Sequence, residues 1–320
     1  MIFKKREKFC NCLGEKVNKH FVDVVQIFWK SKTNFKTYFP EGFKISDWVD
    51  SKEKPSDFSH EPIITWIGHS SFLIQVGGLN ILTDPIFGDL SLMYPRNFAP
   101  GILPQHLPKV DIILISHNHR DHLDLRSLKV FKKEQPQIFV PMKVKKILET
   151  KGYKNLFEFN WWDEKKIELN NVKNGTKVTF LPTLHWSIRG ILDLNKSLWG
   201  SWMIESNQSK IYFGADSAYS DHYTKISKKF SQIDVAIMPI APCEPRQLTK
   251  NTHMDAHESS NAFLDLNAKT FIPMHWGTFR LGTDSFDGPI KKLREWWDEN
   301  LENLEDKILY IPKFGEKVRL

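Results

Sequence analysis

Six residues constrain this chain more than any others: His117-Asn118-His119-Arg120-Asp121-His122 follow directly on the apolar run DIILIS at 111–116. Such a run is what a strand buried on both faces looks like. A turn at the end of that strand can aim several side chains at one point. Four imidazole or carboxylate groups within six residues are costly to bury without a metal or a charge partner. Histidine nitrogen and aspartate oxygen both suit zinc, so the pattern asks for a fold in which a central strand ends in a cation site.

Four such groups cannot fill the shells of two ions, and the sequence offers three more in equivalent places. His185 closes KVTFLPTLH, Asp216 closes IYFGAD and His275 closes TFIPMH. Each lies just past the C-terminal end of an apolar strand. That shared position makes His117, His119, Asp121, His122, His185, Asp216 and His275 one predicted metal-ligand set.

The surrounding chain alternates strand and helix patterns. Residues 63–67, 71–76 and 79–83 read as strands, the last two joined by Gly77-Gly78, a two-residue hairpin signal. Further strands are expected at 177–182, 201–205, 210–214, 235–240 and 270–274, with helices near 123–134, 142–151, 256–266 and 288–300. This order predicts an α/β fold of two mixed sheets covered by helices. With 320 residues, 41% of them hydrophobic, the chain can bury a large core.

Charge sets the N-terminus apart. Residues 1–36 hold nine Lys and Arg against three acids, most of the net charge of +7. Within them Val17, Phe21, Val24, Val25 and Phe28 recur at helical spacing, which predicts a basic amphipathic helix suited to docking on the main domain or lying on a membrane surface. No stretch is apolar enough to span a bilayer, and the first residues lack a signal-peptide core. Three cysteines, Cys10, Cys12 and Cys243, form no disulfide framework. A cytoplasmic protein, with room for peripheral membrane contact, is the expectation.

Several segments together narrow the family. TWIGHSSFLI, LTDPIFGD, LISHNHRDHLD, FNWWDE, LPTLHWS, LWGSW, MPIAPCEPR and MHWGTF resemble, in order, those of the metallo-β-lactamase superfamily, and within it the N-acyl-phosphatidylethanolamine-hydrolysing phospholipases D and their bacterial relatives. The resemblance spans about residues 62–290. It implies an αββα sandwich of two mixed sheets flanked by helices, with 1–60 a basic, partly helical extension and 61–320 the hydrolase domain.

The resemblance also implies two Zn2+ per chain. His117, His119 and His185 would hold the first, Asp121, His122 and His275 the second, and Asp216 would bridge them. Asp84 in LTDPIFGD matches a buried acidic position that supports a ligand or the attacking water, and His253 in NTHMD matches a histidine near the substrate phosphoryl group. The implied reaction is phosphodiester hydrolysis of a phospholipid through a metal-bridging hydroxide, with Asp121, His253 and Asp84 as catalytic residues and His253 and Arg120 contacting substrate. Arg120 departs from the tyrosine of mammalian members. Another ester, such as a lactone or sugar phosphate, is the alternative, with a nuclease or a non-catalytic binding protein behind it. A homodimer fits the reading, no nucleic-acid partner is expected, and a lipid substrate would give Trp161, Trp162, Trp199 and Trp202 a role at the interface.

Overall fold

The computed structural model describes residues 8–11, 38–50, 54–169, 172–206 and 209–320, apart from the side chains of 169 and 172–174. The helix expected over 17–28 lies outside the described residues. Among them, fourteen strands build two seven-stranded sheets.

In chain order the first sheet takes β1 (Ile63–Gly68), β2 (Ser71–Val76), β3 (Leu79–Thr83), β4 (Ile112–Leu114), β5 (Gln137–Pro141) and β6 (Leu156–Phe159). The second takes β7 (Glu164–Leu169), β8 (Val172–Leu181), β9 (Ser201–Glu205), β10 (Lys210–Phe213), β11 (Ile233–Pro239), β12 (Ala268–Met274) and β13 (Ile308–Leu309). Then β14 (Lys317–Arg319) returns to pair antiparallel with β1 and closes the edge of the first sheet. Strands β3 to β6 run parallel, as do β10 to β13. The Gly77-Gly78 link does form a tight hairpin, with φ of 59° and 77°, the left-handed pair that such a turn requires.

Two-sided burial follows from the alternation within each strand. On β2, Phe72, Ile74 and Val76 face the space between the sheets, whereas Leu73 faces outward into a second apolar layer. On β4, Ile112 and Leu114 point inward and Ile113 outward. That outer layer includes Leu128 of α1 (Leu125–Leu128) and Leu148 of α2 (Lys145–Glu149). The second sheet is covered by α3 (His222–Lys229), α5 (Ala256–Asp265) and α6 (Gly288–Glu299), with the short α4 (Arg246–Thr249) between α3 and α5 in the chain.

Strands β5, β6 and β7 and helix α3 were not expected from the sequence: β6, β7 and α3 interleave apolar positions with charged residues such as Glu158 and Lys165, and β5 is a short apolar run ended by Pro141. The residues at 38–50 are woven into the domain: Tyr38 is buried, and Trp48 packs edge-on against Trp276 and Phe286.

Trp202 ties the sheets together directly beneath the histidine motif. Its ring lies in the core against Phe159 and Phe180, and its Nε1 donates to Ile115 O at 3.2 Å. Trp199 is equally buried and donates to Asn11 Oδ1 and Thr183 O. Neither ring can meet a lipid interface, which corrects that expectation for this pair. Replacing Trp202 with alanine should cost about 3–5 kcal/mol in urea unfolding, and Trp202→Phe much less. Equal losses for the two would show that the indole hydrogen bond, and not the ring volume, carries the stability.

Candidate metal centre

Pairing sets β1, β3 and β4 in one direction, and β8, β10, β11 and β12 in one direction within the other sheet. Their C-terminal ends meet at one rim. His69 follows β1, Asp84 follows β3, the 117–122 turn follows β4, His185 follows β8, Asp216 follows β10 and His275 follows β12. His69, Asp84, Ala215 and His275 all take positive φ, between 33° and 66°. Such left-handed turns cost on the order of 1–3 kcal/mol each and persist where the surroundings hold them. Here they swing each side chain off its strand and into the rim.

Two groups of side chains result. In the first, His119 Nδ1 lies 2.8 Å from His117 Nε2 and 3.3 Å from His185 Nε2. Asp216 Oδ2 completes it, 3.9 Å from His117 Nε2 and 3.7 Å from His185 Nε2. In the second, Asp121 Oδ2 lies 3.1 Å from His69 Nε2, 3.6 Å from His122 Nε2 and 3.7 Å from His275 Nε2. Asp216 links the two, with Oδ2 at 3.2 Å from His122 Nε2 and Oδ1 at 3.0 Å from His275 Nε2. His253 Nδ1 stands 3.8 Å from the same Asp216 Oδ2.

The outer ring nitrogens show that this cluster suits a cation. His185 Nδ1 faces Thr252 O at 2.8 Å and His275 Nδ1 faces Ala241 O at 2.9 Å. A backbone carbonyl only accepts, so Nδ1 carries a proton in each, and Nε2 is the nitrogen left to present a lone pair inward when the ring is neutral. His122 Nδ1 faces Asp84 Oδ2 at 2.7 Å, and His117 Nδ1 faces Ser116 Oγ at 2.9 Å, a hydroxyl whose own hydrogen goes to Asp84 Oδ2, so both rings likewise carry the proton on Nδ1. Inward lone pairs together with the carboxylates of Asp121 and Asp216 form a donor set of the nitrogen and oxygen type that zinc and related divalent ions take.

Electrostatics agree. Burial holds His185 down to about 3 and, together with the neighbouring His275, holds His69 down to about 3. His117 is pushed well below its usual range by burial and by the rings of His122, His119 and His185. Burial works against charge on His122 and His275 too. There Asp216 and Asp121 win, lifting His122 well above the usual range and His275 to about 9. Burial would likewise raise Asp121 and Asp216, but the histidines, His122 foremost, hold both well below the usual carboxylate range. The carboxylates stay ionised and demand positive charge beside them.

All seven sequence-predicted ligands converge, and Asp84 and His253 stand with them. Asp84 is wholly buried: besides His122 it accepts from Ser116 N at 2.8 Å and Ser116 Oγ at 2.5 Å. Arg120 is exposed at the rim, its Nη2 3.4 Å from Arg189 O. Arg246 serves structure, donating to His253 O and pairing with Asp255 and Glu258, whereas Glu244 accepts from its backbone N–H instead of pairing with its guanidinium. Sequence reasoning missed His69, whose signal was its place in GHSS at the end of an apolar strand. It also missed Asn11, whose Oδ1 accepts from His185 N at 3.2 Å, a contact across 174 positions that no local pattern announces.

Residues 79–276 match the beta-lactamase superfamily domain. The chain belongs to the metallo-β-lactamase superfamily. It is a metal-dependent hydrolase of that fold. Within the superfamily it is 32% identical over 268 residues to N-acyl-phosphatidylethanolamine-hydrolyzing phospholipase D 1 of Caenorhabditis elegans, covering 79% of this chain and 74% of that protein. It is 36% identical over 265 residues to the mitochondrial enzyme of the same name from Saccharomyces cerevisiae, again over 79% of this chain but only 54% of the yeast protein. Among solved structures, the metallo hydrolase Igni18 of Ignicoccus hospitalis shares the fold at a TM-score of 0.62 and 21% identity, over 81% of this chain and 98% of that one.

Replacing Asp84 with asparagine keeps its shape but removes the carboxylate facing His122. Zinc affinity, measured by competition with a chelator, should fall by about 10–100-fold while the circular-dichroism spectrum stays unchanged. Unaltered affinity would reduce Asp84 to a turn residue before Pro85.

Proposed function

We propose that this chain is a zinc-dependent phosphodiesterase of the phospholipase D type, cleaving N-acyl-phosphatidylethanolamine-like lipids to an N-acylethanolamine and phosphatidic acid. The observation that carries the reading is the pair of ligand groups joined at Asp216, combined with the activity named for the two curated relatives. His117, His119 and His185 would hold one Zn2+, Asp121, His122 and His275 the other, and Asp216 both. When bound, such ions lower the pKa of water to about 7 and stabilise charge on phosphoryl oxygens.

The protein's own groups supply the rest. Asp84, through His122 Nδ1, fixes which nitrogen of that ring faces the site. Thr252 O and Ala241 O do the same for His185 and His275. His253 is partly open to solvent beside Asp216, where it suits orienting a phosphoryl oxygen or giving a proton to the departing alcohol. Arg120, exposed next to Arg189 O, is placed to meet an anionic head group, and its presence instead of tyrosine is our reason to expect a shifted head-group or acyl preference.

The test is release of N-acylethanolamine from mixed micelles by the zinc-loaded chain. Wild type should turn over, and Asp216→Ala and His119→Ala should each lose more than about 100-fold. Bound metal without any release would turn the reading to lactones or sugar phosphates.

No described helix is long and apolar enough to cross a membrane. We propose that the basic residues of 1–36 contribute peripheral attachment, since nine cations there face only three acids. Replacing Lys16, Lys19, Lys30 and Lys32 with glutamate should weaken sedimentation with anionic liposomes, and unchanged binding would remove the N-terminus from that role.

A further inference from the structure

Two loops beside the metal centre carry exposed apolar side chains. In the loop after β8, Ile191 is 94% and Leu192 81% exposed. In the loop after β3, Leu92 is fully and Met93 about half exposed. Large aliphatic side chains standing in adjacent pairs at loop tips call for an explanation that scattered surface residues do not.

Both loops rest on the same turn. Arg189 Nη1 donates to Asn118 O and Leu123 O, which seats the first loop on the histidine motif. Arg126, just past that motif, donates to Asp89 O and Leu90 O, which seats the second. Both loops therefore border the turn that carries the ligands, where His119 and Asp121, with His253, are the partly open members of the cluster. Each loop has a cation beside it: exposed Arg120 reaches Arg189 O of the first, and Arg126, its side chain 60% exposed, reaches the second.

The acids of these loops are turned to other tasks. Asp193 accepts from the backbone N–H of Arg189 and Gly190, Asp89 from that of Arg96, and Asp124 caps α1 while pairing with Arg126 Nε. Phe9 N donates to Asn195 O, so residues 8–11 lie against the first loop.

We propose that this rim is a bilayer-docking surface for anionic phospholipid, with Ile191-Leu192 and Leu92-Met93 inserted as two anchors and Arg120 and Arg126 at the level of the phosphates. Apolar tips set among arginines match a membrane interface, where hydrocarbon and negative charge lie within one side-chain length of each other. A bilayer seated there delivers its head groups to the partly open ligands, whereas a protein on the same two loops would cover them. The inference deepens the phospholipid reading above and rests on it for the substrate, but it assigns the docking to the folded domain.

The experiment is flotation of the zinc-loaded full chain with vesicles of phosphatidylcholine, with and without phosphatidylglycerol. Wild type should float, more strongly with phosphatidylglycerol and less in high salt. The pairs Ile191→Glu with Leu192→Glu, and Leu92→Glu with Met93→Glu, should each lower partitioning by about 10-fold or more. Both should leave zinc content and turnover of a monomeric short-chain substrate unaltered. Undiminished flotation of both pairs, or no flotation of wild type, overturns the proposal. So does a wild-type dimer, seen by sedimentation, that the same pairs dissolve. Flotation that depends on the loops, without release of N-acylethanolamine, leaves the docking surface standing and defeats the phospholipase reading. Release that proceeds while the loops leave flotation unchanged does the reverse.

Discussion

The carboxylate of Asp84 holds the end of the central strand, the serine after it and the first turn of the motif in one network. Wholly buried, it takes the N–H and hydroxyl of Ser116 and faces His122 Nδ1. A buried carboxylate is tolerable only when its oxygens are satisfied this fully. Its demand for donors also explains why β4 stops at Leu114: the N–H of Ser116 turns to a side chain from the neighbouring strand end instead of to backbone. From that point the chain bends, and His117, His119, Asp121 and His122 fan out toward the rim.

The site beyond it is an arrangement of fixed charge. Asp121 and Asp216 remain ionised in a nearly closed pocket, and rings held in one orientation by Ser116, Thr252 and Ala241 surround them. The same carboxylates lift His122 and His275 above the usual histidine range against the pull of burial. A divalent cation answers the same demand with ligands already aimed, so the protein meets the cost of orientation in folding and not at the moment of binding. The left-handed turns at His69, Asp84 and His275 are part of that cost, stored where the two sheets meet and held by the core beneath.

Most of the ligand set was legible because each member closes an apolar strand, and strand ends are what a linear pattern marks best. His69 sits at such an end as well, but a single histidine before two serines carries no local sign of a partner 52 positions away. The tryptophans of LWGSW were legible as aromatic and not as buried, since only the crossing of β9 beneath Ile115 puts Trp202 inside. Strands β6 and β7 were obscured by charged residues on their exposed faces, where burial on one side alone leaves a weak alternation, and β5 by its shortness, since a brief apolar run does not distinguish strand from helix.

The sequence by itself determined the chemistry available: imidazoles and carboxylates at the ends of apolar strands, an alternation of strand and helix patterns that predicts two mixed sheets covered by helices, and a basic N-terminus. Those follow from residue type and periodicity, which are local. Tertiary structure decided the rest. Parallel pairing in two separate sheets brings six strand ends to one rim, makes Asp216 common to both ligand groups, and carries Asn11 to the backbone of His185. It also leaves Ile191 and Leu192 outside the core beside the metal centre. Those distances are set by how the sheets stack and where long connections return, and neither is encoded within the span of any one motif.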